Sequence, residues 1–140
     1  RDPLDARRRA LLLLQLRRQG GLTAVQAVVQ RASRLAEKGD TPAQQLSARA
    51  VVDSALFRSP SEAAMLAVLE RLEPIAMNRS YVELAEALKD SAAILAAFFD
   101  GEQSVLVMDD DPAVRRNRLS LLGVLRNQAA VLADFSRING

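Results

Sequence analysis

Residues Phe98–Asn127 read FFDGEQSVLVMDDDPAVRRNRLSLLGVLRN, and the reading of this stretch decides the fold. Two phenylalanines and an acid lead into the short apolar run Val105–Met108. Three consecutive acids, Asp109, Asp110 and Asp111, are followed by Pro112. An aspartate just before a proline is a helix start: the carboxylate caps orphan N–H groups, and proline suits the first helical position. Three consecutive acids do not converge on one ion, so they read as a cap and not as a metal site. A fifth helix is expected from Asp111-Pro112 to about Phe135. Val105–Met108 is the one candidate strand, has nothing to pair with, and is expected to be extended.

At 100° per residue, Val114, Leu121, Leu125, Ala129 and Leu132 fall on one apolar stripe of that helix. Arg118 lies inside the stripe, with Asn117 and Phe135 on its flank. A guanidinium there needs a carboxylate partner, because an unpaired buried charge is costly. Asp100 and the acidic cap run are the expected partners. Arg115, Arg126 and Arg137 lie along one edge, and Arg116 and Asn127 are expected to face water.

Working outward, Ser59-Pro60-Ser61-Glu62 is a capping box that opens a helix to about Met77. Ser80-Tyr81-Val82-Glu83 repeats the signal and opens another, to about Phe99. Leu46–Phe57 reads as a short helix or irregular chain, and Gly39–Gln45 as a linker. Upstream, Leu22–Lys38 has helical apolar spacing, with Arg31, Arg34 and Lys38 on its polar side. Asp2-Pro3 opens a first helix to about Arg18. Its leucines fall nearly all round the wheel, so it expects neighbours on several sides and reads as part of a longer protein. The expected fold is therefore all-α, a bundle of about five helices without a sheet. A basic helical pair over 1–40 precedes a main bundle over 46–140.

Composition narrows the function. The 140 residues include no cysteine and no histidine, which removes thiolate chemistry, the usual zinc ligands and the usual general base. The longest purely apolar run, Ala92–Phe99, is far short of the ~20 residues that span a bilayer. No signal peptide is expected, and the chain reads as soluble and intracellular. Residues 1–38 carry nine basic against three acidic side chains, residues 39–104 five against ten. Seventeen of the nineteen basic residues are arginine, the side chain that grips phosphate and stacks on bases. This polarity suits the approach of a polyanion to one side.

The same residues resemble a known family. Asp111-Pro112-Ala113-Val114-Arg115 is similar to the D-x-A-L-R signature of the DALR-type anticodon-binding domain at the C-terminus of the bacterial-type glycyl-tRNA synthetase β subunit. Phe98-Phe99-Asp100, Val105-Leu106-Val107-Met108 and Arg115-Arg116-Asn117-Arg118-Leu119-Ser120-Leu121-Leu122 resemble the wider pattern around it. Asp2-Pro3-Leu4-Asp5 and Val28–Leu35 resemble the helices before the domain. Two departures stand out: valine replaces the leucine of the signature, and the Gly101–Ser104 loop has four residues where many members have one.

The resemblance implies a non-catalytic, tRNA-binding module of a cytoplasmic glycine–tRNA ligase. Glycine activation, ATP and Mg would be handled elsewhere, on an α subunit or a fused α portion, with no cofactor in this segment. The implied partner is tRNA-Gly, with no DNA and no membrane. Arg115, Arg116, Arg126, Asn127, Arg31 and Arg34 would meet the RNA. Phe98, Phe99, Asp100, Asp111, Asn117 and Arg118 would build the scaffold. The alternative is a helical protein-interaction or assembly domain without RNA binding. The leucine-coated first helix and the acidic middle of the chain support it.

Overall fold

The computed structural model describes residues 21–100 and 104–139, with the backbone alone for 21–23 and 133–139. The expected first helix, the Gly101–Gln103 part of the longer loop and the side chains of Phe135 and Arg137 lie outside these. Among the described residues there are five α-helices, one 3-10 turn and no strand: α1 Gly21–Ala36, the turn Ser54–Leu56, α2 Pro60–Met77, α3 Tyr81–Asp90, α4 Ala92–Ala97 and α5 Pro112–Asn139. The fold is an all-α bundle, as its helical spacing predicts. None of these helices is long and apolar enough to cross a membrane.

Each helix buries the face its spacing marks. On α1, Val25, Ala32 and Ala36 point into the core, while Arg31 and Arg34 are exposed. On α2 the buried apolar set is Met65, Val68, Leu69, Leu72 and Ala76. The chain from 80 to 99, expected as one helix, is two. It bends at Ser91, whose φ of −94° and ψ of 0° leave the regular helix, although Leu84, Leu88, Leu95 and Phe98 keep one buried face through the bend. Phe98 is fully buried and meets Phe99 edge-on, with ring centroids 5.5 Å apart.

Helix α5 is the axis of the bundle. From Asn117 to Leu125 every residue is buried, and α1, α2, α3 and the 3-10 turn pack around it. Its apolar members join those of α1, α2, α3 and α4 in one core. The segment 41–56 is irregular apart from the 3-10 turn, and it lies directly on α5. Gly123 allows this approach, because a Cβ there would stand 2.6 Å from the Thr41 side chain. Val105–Met108 forms no strand, and the chain turns at Val107 and Met108 where an extended run was expected: Val107 is buried, and Leu106 and Met108 are exposed.

Candidate nucleic-acid interface

The start of α5 is fixed by its own acids. Asp111 Oδ1 accepts from the Ala113 and Val114 amides at 2.9 and 3.4 Å. These two amides, the Ala113 one first, hold its carboxyl below the usual 3.8, and Arg58 adds to the effect. Asp109 Oδ1 accepts from the Asp111 amide at 2.9 Å. Arg58 ties the turn to α2 by reaching Asp111 at 3.0 Å and Asp109 at 3.7 Å.

Arg118 is buried, as its place in the apolar stripe predicts, but its main partner is not among the expected acids. Nε and Nη2 each reach a Glu62 carboxylate oxygen at 3.2 Å. Nη1 donates to the Leu106 carbonyl at 2.6 Å and to Asp109 at 3.5 Å. Glu62 is the residue that also closes the α2 capping box. Of the expected acids, Asp109 contributes a weaker contact. Asp100 instead lies at the surface, 3.3 Å from Arg31, whose guanidinium also sits 4.8 Å from the Phe99 ring centroid.

Two residues expected beside or outside the core are buried because the 41–56 segment covers that side of α5. Asn117 accepts from the Asp53 amide at 2.7 Å and donates to the Asp53 carbonyl at 2.9 Å. Asn127, expected to face water, is 5% exposed; its amide donates to the Pro42 and Gln45 carbonyls at 2.7 and 2.8 Å. Its oxygen accepts from Arg126 Nε at 3.0 Å, so its hydrogen-bonding groups are turned inward. Arg126 is half-buried and donates to the Thr41 carbonyl. Gln128, which the wheel did not single out, is fully buried and donates to the Leu46 and Leu69 carbonyls, both at 2.9 Å. These side chains satisfy the peptide groups of a segment that makes few backbone hydrogen bonds of its own.

Of the candidate RNA-binding residues, a smaller set remains on the outside. Arg31, Arg34 and Arg116 are exposed, while Arg115 is half-buried and donates to the Asp109 carbonyl at 3.1 Å. Arg116 pairs with Asp40 at 2.8 Å, both side chains well exposed. Such a pair contributes little, and a phosphate can compete for the guanidinium. Beside Arg116, between α5 and the 40–56 segment, lies a cleft of about 490 Å³. Asp40, Pro42, Asp53, Leu56, Arg116 and Ser120 are among its lining residues. No sequence signal marked this cleft, because its outer wall is the irregular segment.

Comparison with known proteins gives a consistent result. No family model matches the chain, and no solved structure matches it. It is 44% identical, over 99% of its length, to the glycine–tRNA ligase β subunit of Trichodesmium erythraeum and to that of Gloeothece citriformis. It is 34% identical over 98% of its length to the β subunit of Anaeromyxobacter dehalogenans. It spans about one fifth of the length of these relatives, 20% of the first two and 19% of the third. Similarity carried across nearly the whole chain places it in the glycine–tRNA ligase β-subunit family, as a relative of one segment of that subunit.

Proposed function

We infer that this segment binds the anticodon loop of tRNA-Gly and positions the tRNA for glycylation carried out elsewhere in the enzyme, where ATP and Mg would act. The observation that carries the reading is the 44% identity to ligase β subunits over 99% of the chain. The geometry supports it through the division of labour among the arginines. Arg118 is committed to the core, while Arg31, Arg34 and Arg116 are exposed and Arg115 and Arg126 are half-buried. Phosphate contacts position an RNA loop, and contacts to unstacked bases select it. The α subunit, or a fused α portion, is the proposed protein partner.

A second reading has one observation in its favour. Leu106, Met77 and Val82 are apolar and exposed, as a protein-interaction surface would be. Salt dependence separates the two. Binding of the full-length subunit to tRNA-Gly should weaken steeply with salt, and Arg116→Ala should lower the slope by about 1. Salt-insensitive association with protein, together with no measurable tRNA binding, would support the interaction reading instead.

A further inference from the structure

Resting on the RNA-binding reading above, we propose that the cleft between the 40–56 segment and α5 receives one unstacked base of the bound RNA, a base that carries an exocyclic amine. The cleft's volume of about 490 Å³ lies in the ~300–1,000 Å³ range of small-molecule sites. Its chemistry is divided. Pro42, Val51, Leu56 and Ala113 provide apolar wall, which suits the faces of a flat ring. The polar lining consists of the Asp40 and Asp53 carboxylates, the Arg116 guanidinium, the Ser120 hydroxyl and Thr41 and Asn117. The Asn117 amide is already spent on the Asp53 backbone.

Two carboxylates on the lining, both exposed, make the cleft wrong for a phosphate to enter, while Arg116, the one cation among the lining residues, is well exposed and paired with Asp40. A nucleotide fits this pattern: a neutral, donor-bearing ring inside and a phosphate at Arg116. Carboxylates accept from the exocyclic amine of cytosine, adenine or guanine. Uracil puts a carbonyl where the others carry the amine and keeps only its N3–H as a donor on that edge, so it is disfavoured.

The walls are also held before any ligand arrives. Asn117 fixes Asp53 by two hydrogen bonds. Asn127 and Arg126 hold the carbonyls of Thr41, Pro42 and Gln45. The missing Cβ of Gly123 lets Thr41 seat against the helix. A preformed cleft avoids the ordering cost that a flexible loop would incur on binding.

The test uses the full-length β subunit containing this segment. Ala113 and Ala50 both line the cleft and are exposed, so Ala113→Phe and Ala50→Trp fill it without entering the core. Binding is measured to tRNA-Gly and to tRNA-Gly transcripts with a single abasic site at each anticodon-loop position in turn. Each variant should bind intact tRNA roughly tenfold more weakly, the scale of one lost base contact, with an unchanged salt slope. At one abasic position the two losses should merge, so that filling the cleft costs nothing further. Uracil at that position should weaken the wild-type subunit by a similar factor. The cleft proposal is overturned, and the RNA reading kept, if both filled variants bind as wild type while Arg116→Ala or Arg31→Ala weakens binding. Losses that stay additive at every abasic position also overturn it. A wild-type subunit that does not bind tRNA-Gly removes both.

Discussion

Helices α2 and α3 open on the same four-residue signal, serine followed three positions later by glutamate, yet only one of them forms a capping box. At α2, Ser59 is extended, with φ −135° and ψ 144°, and its side chain accepts from backbone amides of the first turn. Glu62 returns to the Ser59 amide at 2.9 Å and to the Arg58 amide at 2.8 Å. At α3, Ser80 makes no side-chain cap hydrogen bond. The reason lies one element upstream. The chain leaves α2 through Arg79 in the left-handed region, φ 52°, with the Arg79 amide on the Ala76 carbonyl and the Ser80 amide on the Ile75 carbonyl. That is a helix-ending motif, and Ser80 is its last residue. Its backbone angles, φ −81° and ψ 80°, serve the end of α2 and not the extended geometry of a cap. A local signal is realised only where no neighbouring element claims the same residue.

The largest expected contrast is between the two glutamates. Glu62 is fully buried and carries Arg118 on both carboxylate oxygens. Glu62→Ala should destabilise the protein by about 3–5 kcal/mol, because it strands a buried guanidinium. Arg118→Leu should cost less, because Glu62 keeps the Arg58 and Ser59 amides. Glu83 is exposed, and Glu83→Ala should stay within about 0.5 kcal/mol of wild type. Urea unfolding of the three variants measures this. Equal losses at Glu62 and Glu83 would show that capping, and not the buried pair, is what matters.

The serines should differ in the same direction but by less. Ser59→Ala removes a formed cap and should cost about 1 kcal/mol. Ser80→Ala removes no cap hydrogen bond, so its melting temperature should match the wild type. A comparable drop at both sites would mean that Ser80 caps α3 in solution.

The helix starts were the most legible part of the sequence, because a cap is written in three or four adjacent residues. Ser59-Pro60 and Asp111-Pro112 mark where α2 and α5 begin, and α2 ends at Met77 as its spacing indicates. The candidate site was less legible. A helical wheel assumes burial from one side, but α5 is wrapped on nearly all sides. Asn127, on the side opposite the apolar stripe, therefore looks wet in the sequence. In the fold, Asn117, Asn127 and Gln128 hold the peptide groups of an irregular segment that has no periodic pattern of its own. The choice of Glu62 over Asp100 for Arg118 was hidden for a related reason. Glu62 reads locally as a capping residue, and nothing in its neighbourhood announces a partner 56 positions away.

A third helix start sharpens the comparison through pH. Asp111 caps α5 with a charged group, whereas Ser59 caps α2 with a neutral hydroxyl. The Ala113 and Val114 amides and Arg58 lower the Asp111 pKa in the folded state from its ordinary 3.8. The unfolded chain thus binds the proton more readily than the folded one. The stabilisation from this carboxylate is fully present above the ordinary value and is lost as pH falls through the lowered one. Asparagine at this position still caps but does not titrate. The difference in unfolding midpoint between wild type and Asp111→Asn should therefore be constant near neutrality. It should shift against the wild type as pH falls below the ordinary 3.8 and through the lowered folded value. Ser59→Ala, measured alongside, should show a pH-independent offset over the same range. If the Asp111→Asn difference is flat down to the lowest pH, the folded pKa is not lowered, and the α5 cap is no more electrostatic than the α2 one.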